Sequence, residues 1–275
     1  MEQESRVAFI TGGTRGIGRA LTGRLLHSGW KVAVVGTDKL AIKCLQREFR
    51  GFPLLAKALS VANSRGMVDF VKKVEKKFGL IQALVNNAAI LGPTGPIGEA
   101  TPAAIEKVIS INLIAVIQLS SCVAARMKSA GTQGVIVNLS SKAAEGVPGL
   151  SSYAATKSAV NVFSLSMAAE YSQAGIRVFA FNPGRVETDL FEAARSTDPK
   201  KLPYASELSR VKEQGLVQPP RESAEQIQFL LKNPGSFGTT RVVNHDEVRK
   251  RMREASPEAG LRFKLTLAND RTEAS

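Results

Sequence analysis

The stretch TGGTRGIG at residues 11–18 follows the short apolar run 7–10 and precedes a segment with helical spacing, 19–27. Glycine loses more backbone freedom on folding than any other residue, so four glycines within eight positions indicate a backbone that approaches something closely. A glycine-rich turn between a first strand and a first helix offers backbone N–H groups and the positive end of the helix to a phosphate. The stretch therefore predicts a phosphate-binding turn.

Strand-like and helix-like segments alternate along the chain as far as residue 190. The runs that read as strands are 7–10, 31–35, 83–85, 135–137 and 177–181. The segments that read as helices are 19–27, 40–49, 67–78, 103–127 and 153–171. Alternation of this kind, with nearly continuous apolar strands, predicts a parallel sheet covered by helices on both faces. We therefore expect an α/β fold with a doubly wound parallel sheet, the Rossmann fold, in a single domain.

The domain is predicted to occupy residues 1–245. Within it, 190–220 has mixed charge and a proline, which favours a substrate loop with short helices inserted into the fold. Helical spacing returns at 223–231. Residues 246–275 are polar and poor in large apolar side chains, so they predict a C-terminal tail with a surface helix near 247–253.

Composition argues against several classes of protein. The first residues, MEQESR, lack an apolar core for a secretory signal, and no uninterrupted apolar run is long enough to span a bilayer. Cys44 and Cys122 are isolated thiols without the spacing of a disulfide framework or a zinc site. We therefore expect a cytoplasmic protein without a metal and without membrane contact.

The net charge of +13 requires an explanation. Part of the excess is a helical lysine cluster, Lys72, Lys73, Lys76 and Lys77. The cluster has no interleaved aromatic side chains for base stacking and no accompanying nucleic-acid motif, so a solvated helix face is the favoured interpretation. The alternative is a basic nucleic-acid-binding protein, which salt-dependent binding would reveal.

Further motifs follow the glycine stretch. They are Asn86-Asn87-Ala88-Ala89, Asn112, Val137-Asn138-Leu139-Ser140-Ser141, Tyr153-x-x-x-Lys157 and Asn182-Pro183-Gly184-x-Val186-x-Thr188. Together with Thr11-Gly12-x-x-x-Gly16-Ile17-Gly18, and in this order, they resemble the short-chain dehydrogenase/reductase family over about residues 5–235. The resemblance implies hydride transfer between a nicotinamide cofactor and a carbonyl or secondary alcohol.

Tyr153 and Lys157 lie one helical turn apart and so share a face. The charge of Lys157 favours tyrosinate and is expected to lower the phenol pKa from about 10 towards a useful range. By resemblance, Tyr153 is the acid/base, Lys157 also binds the nicotinamide ribose, and Asn112 holds a proton-relay water.

A serine hydroxyl would polarise the substrate oxygen. Ser141, the second of a pair, is at the usual family position but lies 12 residues before Tyr153, whereas Ser140 has the commoner separation of 13. A one-residue deletion within 143–150 would reconcile the two, and Ser141 is the predicted residue.

Cofactor preference depends on the end of the second strand. The family's acidic position, which would bind the ribose 2′-OH of NAD(H), corresponds to the neutral Gly36. Arg15 and Thr37 would bind a 2′-phosphate instead. Asp38 would favour NAD(H) if the register were shifted by two, so NADP(H) is the expectation and NAD(H) the alternative.

The resemblance implies a set of cofactor-binding residues. They are Gly12, Thr14, Arg15, Gly16, Ile17, Gly18, Thr37, Ser60, Val61, Asn87, Ala88, Tyr153, Lys157, Pro183, Gly184, Val186 and Thr188. Three departures from the family pattern accompany them: Ala89 replaces a glycine, Ser60 replaces an aspartate, and 238–246 lacks the Asp-Gly-Gly ending of the oxoacyl-carrier-protein reductases.

The resulting hypothesis is an NADPH-dependent carbonyl reductase with a small carbonyl or alcohol substrate. A catalytically silent NADP(H)-sensing regulator is the alternative, although such a protein would have no need of Tyr153. The helices predicted at 103–127 and 153–171 have more apolar surface than one sheet face should cover. They correspond to the family's subunit interface, so a homodimer or homotetramer is expected.

Overall fold

Seven parallel strands form one sheet in the computed structural model, which describes residues 6–238 and 241–255. They are β1 Val7–Thr11, β2 Lys31–Gly36, β3 Leu54–Ala58, β4 Ala83–Asn86, β5 Gly134–Leu139, β6 Ile176–Asn182 and β7 Arg241–Asn244. Their order across the sheet is β3-β2-β1-β4-β5-β6-β7. The order reverses between β1 and β4, and ligands bind at such a reversal in open α/β sheets. The predicted doubly wound Rossmann fold is confirmed.

Helices cover both faces of the sheet. In the described part of the chain they are α1 Gly16–His27, α2 Lys39–Glu48, α3 Ser64–Phe78, α4 Pro102–Ile109, α5 Ala115–Ser129, α6 Ser151–Tyr171, α7 Asp189–Arg195, α8 Tyr204–Glu213, α9 Pro220–Lys232 and α10 His245–Ala255. A π-helical segment, Ser110–Ile114, joins α4 to α5.

Alternation along the strands divides the core into two layers. In β1, Ile10 packs with Leu25 of α1 and Leu230 of α9, whereas Phe9 faces the other side, where its ring meets Phe70 of α3 edge-on at 5.5 Å. This follows from the two-residue period of a strand, which sends successive side chains to opposite faces. Because side chains pack on both faces of the sheet, the carboxyl ends of the strands are fixed from both sides.

Two strands were not predicted from the sequence. In the edge strand β3, only Ala56 is buried, because solvent reaches the rest of the strand. At the other edge, β7 pairs with β6 through only four residues, and its apolar content is Val242 and Val243. Neither edge strand has the continuous apolar run that marks a central parallel strand.

A helix is present where the sequence predicted one near 247–253. Residues 245–255 form α10, which packs against α9 and buries Val248 completely. The predicted surface helix is therefore amphipathic, and one deeply buried side chain docks it on the domain. The rest of the tail, 256–275, lies outside the described residues.

The predicted helix at 103–127 is a continuous helical segment, 102–129, that contains the π turn. By length and composition this segment would be able to cross a membrane, contrary to the expectation that no such run exists. In the fold it packs against α3 and α6 and against β4 and β5. Its apolar character therefore belongs in part to the core of the α/β domain.

Candidate active site

A cleft of about 700 Å³ opens at the carboxyl ends of the strands and contains both the glycine turn and the Tyr153–Lys157 pair. Every site residue predicted from the sequence lines it except Gly18 and Asn112, which are buried beside it. Residues that follow six of the strands therefore come together in one cavity, although they are spread over about 180 positions of the chain.

The glycine turn has the geometry that its sequence predicts. Gly12 and Gly16 have φ values of +65° and +51°, which favour glycine. A Cβ at Gly18 would lie 2.3 Å from the carbonyl oxygen of Gly12, so the third glycine lets α1 pack against the turn. The N-terminus of α1, with no acidic side chain in its first turn, lines the cleft, and this fits a dinucleotide phosphate.

The end of β4 is tied to this turn by Asn87. Its side-chain amide donates to the carbonyl oxygens of Thr11 at 2.9 Å and Gly12 at 3.0 Å. In return, the Thr11 hydroxyl accepts hydrogen bonds from the backbone N–H groups of Asn87 and Ala88. Asn87, predicted to touch the cofactor, thus also holds the turn that would receive the phosphates.

Arg15 has an unpredicted partner. Its Nη1 donates to Oδ2 of Asp189 at 2.9 Å, and both side chains are 71 % exposed. Asp189 begins α7, so the pair connects the glycine turn to α7, and both residues line the cleft. In this structure the guanidinium is therefore bound to a carboxylate of α7, and a 2′-phosphate would have to compete for it.

The end of β2 explains why Gly36 is neutral. A Cβ at Gly36 would lie 2.9 Å from the hydroxyl oxygen of Thr14, so the Thr14 side chain fills the space that an acidic residue would need. Asp38 does not line the cleft; its carboxylate caps α2 by accepting from the N–H groups of Leu40 and Ala41. In this structure Asp38 is therefore engaged at the start of α2.

Tyr153 lies inside the cleft and is only 5 % exposed. Its hydroxyl lies near the Ser141 side chain, which lowers the pKa of the phenol, and Ser141 also begins a short 3₁₀ turn by accepting from the N–H of Ala143. The neighbouring Ser140 is buried, and its hydroxyl has no partner in the described structure. Of the two candidate serines, Ser141 is the one whose side chain lies near the Tyr153 hydroxyl.

The electrostatics of the pair differ from the expectation. Burial raises the pKa of Tyr153 to about 12, against the opposing effect of the nearby Ser141 side chain. Burial also lowers the pKa of Lys157 to about 8. The Lys157 ammonium donates to the Leu139 carbonyl at 2.7 Å and lies 5.7 Å from the centre of the Tyr153 ring. The predicted lowering of the phenol pKa by Lys157 is absent here, because desolvation dominates.

Asn112 occupies the π segment and is fully buried. Its amide forms two hydrogen bonds with the backbone of Ile90: Oδ1 accepts from N–H at 2.9 Å and Nδ2 donates to the carbonyl at 2.8 Å. A longer bond of 3.4 Å reaches Thr156 on α6. The side chain therefore fixes the segment after β4, so a relay water would have to bind other groups of Asn112.

A buried polar network under the cleft was not predicted as a functional feature. The amide of Asn86 donates to Ser120 at 2.9 Å and to Asn138 at 2.8 Å, and the amide of Asn138 donates to Ser164 at 2.9 Å. The network joins β4 and β5 to α5 and α6. In the sequence, the signal for this network was an asparagine near the end of each of two apolar strands, Asn86 and Asn138. A buried asparagine costs stability unless its amide is hydrogen-bonded.

The remaining wall of the cleft is formed by the end of β6 and by apolar side chains of α7, α8 and the neighbouring loops. Pro183, Gly184 and Val186 line the cleft, and Thr188 caps α7. The apolar side chains near Tyr153 come mainly from α7, α8 and the neighbouring loops. They are Leu91, Ala143, Leu150, Leu190, Phe191, Ala194, Tyr204 and Leu208.

Comparison with known proteins agrees with this geometry. A family model described as short chain dehydrogenase matches residues 6–199. The chain is 32 % identical over 251 residues to a 3α-hydroxysteroid dehydrogenase of Mediterraneibacter gnavus, a match that covers 90 % of this chain and 97 % of that protein.

Solved structures are similar over the same extent. A levodione reductase crystal structure has a TM-score of 0.78 at 30 % identity, with 87 % of this chain and 95 % of that chain covered. A 3-ketoacyl-(acyl-carrier-protein) reductase from Brucella melitensis, complexed with NADH, has a TM-score of 0.75 at 26 % identity, covering 88 % and 96 %.

The matched segment contains the glycine turn and the Ser141–Tyr153–Lys157 group. A nicotinamide cofactor supplies hydride chemistry, and the protein supplies binding, orientation and proton transfer. The chain belongs to the short-chain dehydrogenase/reductase family and is an oxidoreductase of alcohol and carbonyl groups.

Proposed function

We propose that the protein is an NADPH-dependent carbonyl reductase that interconverts a ketone and a secondary alcohol, with Tyr153 as the acid/base. The observation that carries the proposal is that the buried Tyr153 lines one cleft together with Ser141, Lys157 and the glycine turn. A pure NADP(H) sensor would have no use for a buried phenol aimed at a serine in its ligand cleft.

Each side chain has a step in this reaction. A nicotinamide bound in the cleft would supply the hydride to the carbonyl carbon. Ser141 donates a hydrogen bond to the substrate oxygen, and Tyr153 gives its proton to the alkoxide that develops there. The raised pKa of Tyr153 keeps its proton in place at neutral pH, which suits the direction of reduction.

Lys157 acts through the ribose and through Tyr153. In the described structure its ammonium is bound to the Leu139 carbonyl at the end of β5. A ribose hydroxyl of the cofactor would be a second acceptor for this ammonium. The positive charge then stabilises tyrosinate when the reaction runs towards alcohol oxidation. We assign Asn112 the positioning of the Ile90 backbone beside this group.

NADPH is the proposed cofactor, with NADH as the alternative. Gly36 offers no carboxylate to a ribose 2′-OH, and Asp38 is engaged at the N-terminus of α2. Arg15 and Thr37 line the same part of the cleft and would hold a 2′-phosphate. Ser60 and Val61 would form the adenine wall.

We further propose residues 1–245 as the cofactor-binding domain, with 190–220 as its substrate insertion, and a homodimer or homotetramer as the assembly. Ile114 on the π segment and Val162 on α6 are exposed on the helices that the family resemblance places at a subunit interface. The free cysteines Cys44 and Cys122 support a reducing compartment, the cytoplasm.

The test is a panel of ketones, quinones, diketones and oxoacyl thioesters, with oxidation of NADPH and of NADH followed optically. We expect at least one ketone to be reduced, at a higher kcat/KM with NADPH than with NADH. Tight NADPH binding without turnover of any member of the panel would favour the sensor. Absence of binding to either cofactor would contradict the proposal as a whole.

A further inference from the structure

The apolar cluster around Tyr153 contains a second tyrosine, Tyr204. Both tyrosines line the cleft, and among the described members of the cluster they alone have a polar side-chain atom. Tyr153 has a role in the proposed reaction, whereas Tyr204 has none. The Tyr204 hydroxyl is therefore a polar group of the cleft that the proposed chemistry does not use.

The position of Tyr204 on α8 directs its side chain into the cleft. It is the first residue of the helix, and Leu208 follows one turn later. Residues four positions apart share a helix face, and both of these side chains line the cleft. Leu208 is buried, while Tyr204 is half-buried. This face of α8 therefore forms part of the cleft wall, with Tyr204 the more accessible of the two.

The segment before Tyr204 packs closely against the loop between β5 and α6. Gly149 in this loop has a φ of +84°, and a Cβ there would lie 2.4 Å from the carbonyl oxygen of Lys201. Leu202 is completely buried in the apolar cluster. Since the same loop leads into α6, which carries Tyr153, the two tyrosines reach the cleft from elements that contact each other.

The Tyr204 hydroxyl has no hydrogen-bond partner in the described part of the chain, and it is not one of the buried polar atoms. Its ring packs on the apolar cluster, so the phenol presents an apolar body and an accessible polar tip. A ligand that covered this tip without offering a partner would leave a buried hydroxyl unpaired, which costs affinity.

The turn that follows Ser141 adds charges of opposite sign. Lys142 and Glu145 lie at its two ends, and both are exposed and line the cleft. One cation and one acid on the same turn offer no net charge to a ligand. Together with the apolar cluster, this turn favours a neutral substrate.

We propose that Tyr204 is a specificity-determining residue, which selects neutral ketones and secondary alcohols with a second oxygen, a hydroxyl or a carbonyl, away from the reacting carbon. The phenol donates a hydrogen bond to that oxygen, and the apolar cluster covers the body of the substrate. A substrate with a methyl group in place of the second oxygen would bury the phenol without a partner. This inference rests on the proposed reductase function.

The kinetic test pairs each hydroxyketone with the ketone in which a methyl group replaces the hydroxyl. The pairs are 5-hydroxypentan-2-one and hexan-2-one, 4-hydroxycyclohexanone and 4-methylcyclohexanone, and 4-(4-hydroxycyclohexyl)cyclohexanone and 4-(4-methylcyclohexyl)cyclohexanone. The hydroxyketones differ in the separation of their two oxygens. Tyr204→Phe removes only the phenol oxygen and should lower kcat/KM for the hydroxyketone of at least one pair about two- to tenfold, with little change for its methyl partner.

Tyr171→Phe is the matched control, because Tyr171 lies at the end of α6, packs in the other core layer and does not line the cleft. It should change neither member of any pair. Tyr204→Phe should leave the free energy of unfolding of the ligand-free protein unchanged, since its hydroxyl has no partner there. Equal changes within every pair, no change in any pair, or the same change in Tyr171→Phe overturns the proposal. A clear loss of stability in Tyr204→Phe would reveal a partner within the protein and would likewise overturn it.

A binding test separates this proposal from the reductase function. The same ketones are titrated by calorimetry into the protein saturated with NADP⁺, which cannot reduce them. A loss of affinity in Tyr204→Phe that is confined to a hydroxyketone supports the selection even if no ketone is reduced with NADPH, in which case the reductase function fails alone. Reduction of the ketones without that selective loss overturns the selection by Tyr204 and leaves the reductase function standing. Absence of binding by every hydroxyketone overturns the selection as well.

Discussion

Gly12 and Gly215 share a left-handed backbone conformation, with φ values of +65° and +66°, but their surroundings differ. A Cβ at Gly12 would meet Nδ2 of Asn87 at 2.9 Å and the backbone of Ala88 at 3.0 Å, whereas a Cβ at Gly215 would meet nothing within 4 Å. The first glycine lies in the part of the cleft formed by the glycine turn, Asn87 and Asn112, here called the cofactor half after its proposed role. The second lies near the end of residues 190–220, here called the substrate segment after its proposed role.

The difference extends to the forces that hold each half. The cofactor half is fixed by backbone and amide hydrogen bonds, such as those of Asn87 and Asn112, against buried strands. The substrate segment contains no strand of the sheet; it is held by an apolar cluster with Leu150 and Tyr153 and, within itself, by partly exposed ion pairs such as Lys212–Glu192. Because exposed pairs contribute little and the segment lies outside the sheet, we infer that the cofactor half is the more rigid and the substrate segment the easier to move.

Tyr153 lies where the two halves meet, and its replacement gives the largest expected effect. Tyr153→Phe removes one oxygen and keeps the ring in the apolar cluster with Phe191 and Leu208. Carbonyl reduction should fall about 10²–10⁴-fold, the usual contribution of general acid catalysis, while NADPH binding stays nearly unchanged. Single-turnover rates and cofactor fluorescence measure the two quantities. A near wild-type rate would show that another group supplies the proton.

The two glycines themselves provide the next test. Gly12→Ala should lower the free energy of unfolding by about 2–5 kcal/mol, because left-handed strain adds to overpacking against Ala88. Gly215→Ala should lower the free energy of unfolding by the strain alone, about 1–2 kcal/mol. Urea denaturation of the cofactor-free protein compares them. Similar losses for both would mean that the cofactor half is not the more tightly packed.

The pKa of Lys157 predicts a pH dependence of stability in the cofactor half. Its value in the folded protein, about 8, is below the ordinary 10.5, so the unfolded chain binds more protons between these pH values. Stability should therefore rise with pH from about 8 to 10.5, by up to about 3 kcal/mol.

Lys157→Met separates this contribution from the other groups that titrate in the same range. The variant should lack that part of the rise, and the difference between the two pH profiles of the unfolding free energy is the measured quantity. If the two profiles run parallel, the ammonium is better solvated than its burial implies.

The smallest effect concerns the Arg15–Asp189 pair, the link between the two halves. Asp189→Asn should free Arg15 and tighten NADPH binding by up to about fivefold, since exposed pairs are worth at most about 1 kcal/mol. NADH binding should not change. Arg15→Gln should weaken NADPH selectively, and titrations of both cofactors provide the comparison. Equal changes for the two cofactors would exclude a role for Arg15 at the 2′-phosphate.

The elements that the sequence predicted are those with a local signal. Each of these signals involves residues that are close together in the sequence: the apolar run at β1, the glycine turn, and the spacing of Tyr153 and Lys157. The edge strand β3 was missed because solvent reaches most of Leu54–Ala58. The Arg15–Asp189 pair joins residues 174 positions apart, and no local pattern indicates such a contact.

For the candidate site, too, local motifs predicted the residue types but not the properties that depend on the whole fold. Which residue types assemble followed from motifs, but the pKa directions did not, because they depend on how completely the fold excludes water from Tyr153 and Lys157. The choice between Ser140 and Ser141 likewise needed the loop after β5. Only the folded chain shows which hydroxyl turns towards the phenol.

The π turn at Ser110–Ile114 makes the number of residues in this helix matter as much as their type. A π turn holds one residue more than an α turn, and each residue advances a helix by about 100°. Loss of a single residue here would let the wide turn close as an ordinary α turn, so α4 and α5 would keep the faces that they now direct at the sheet. Loss of a single residue within α5 would instead rotate the part that follows by about 100°, and its apolar side chains would point sideways. Two deletions that remove the same kind of residue would therefore differ in their effect on the phase of the helix.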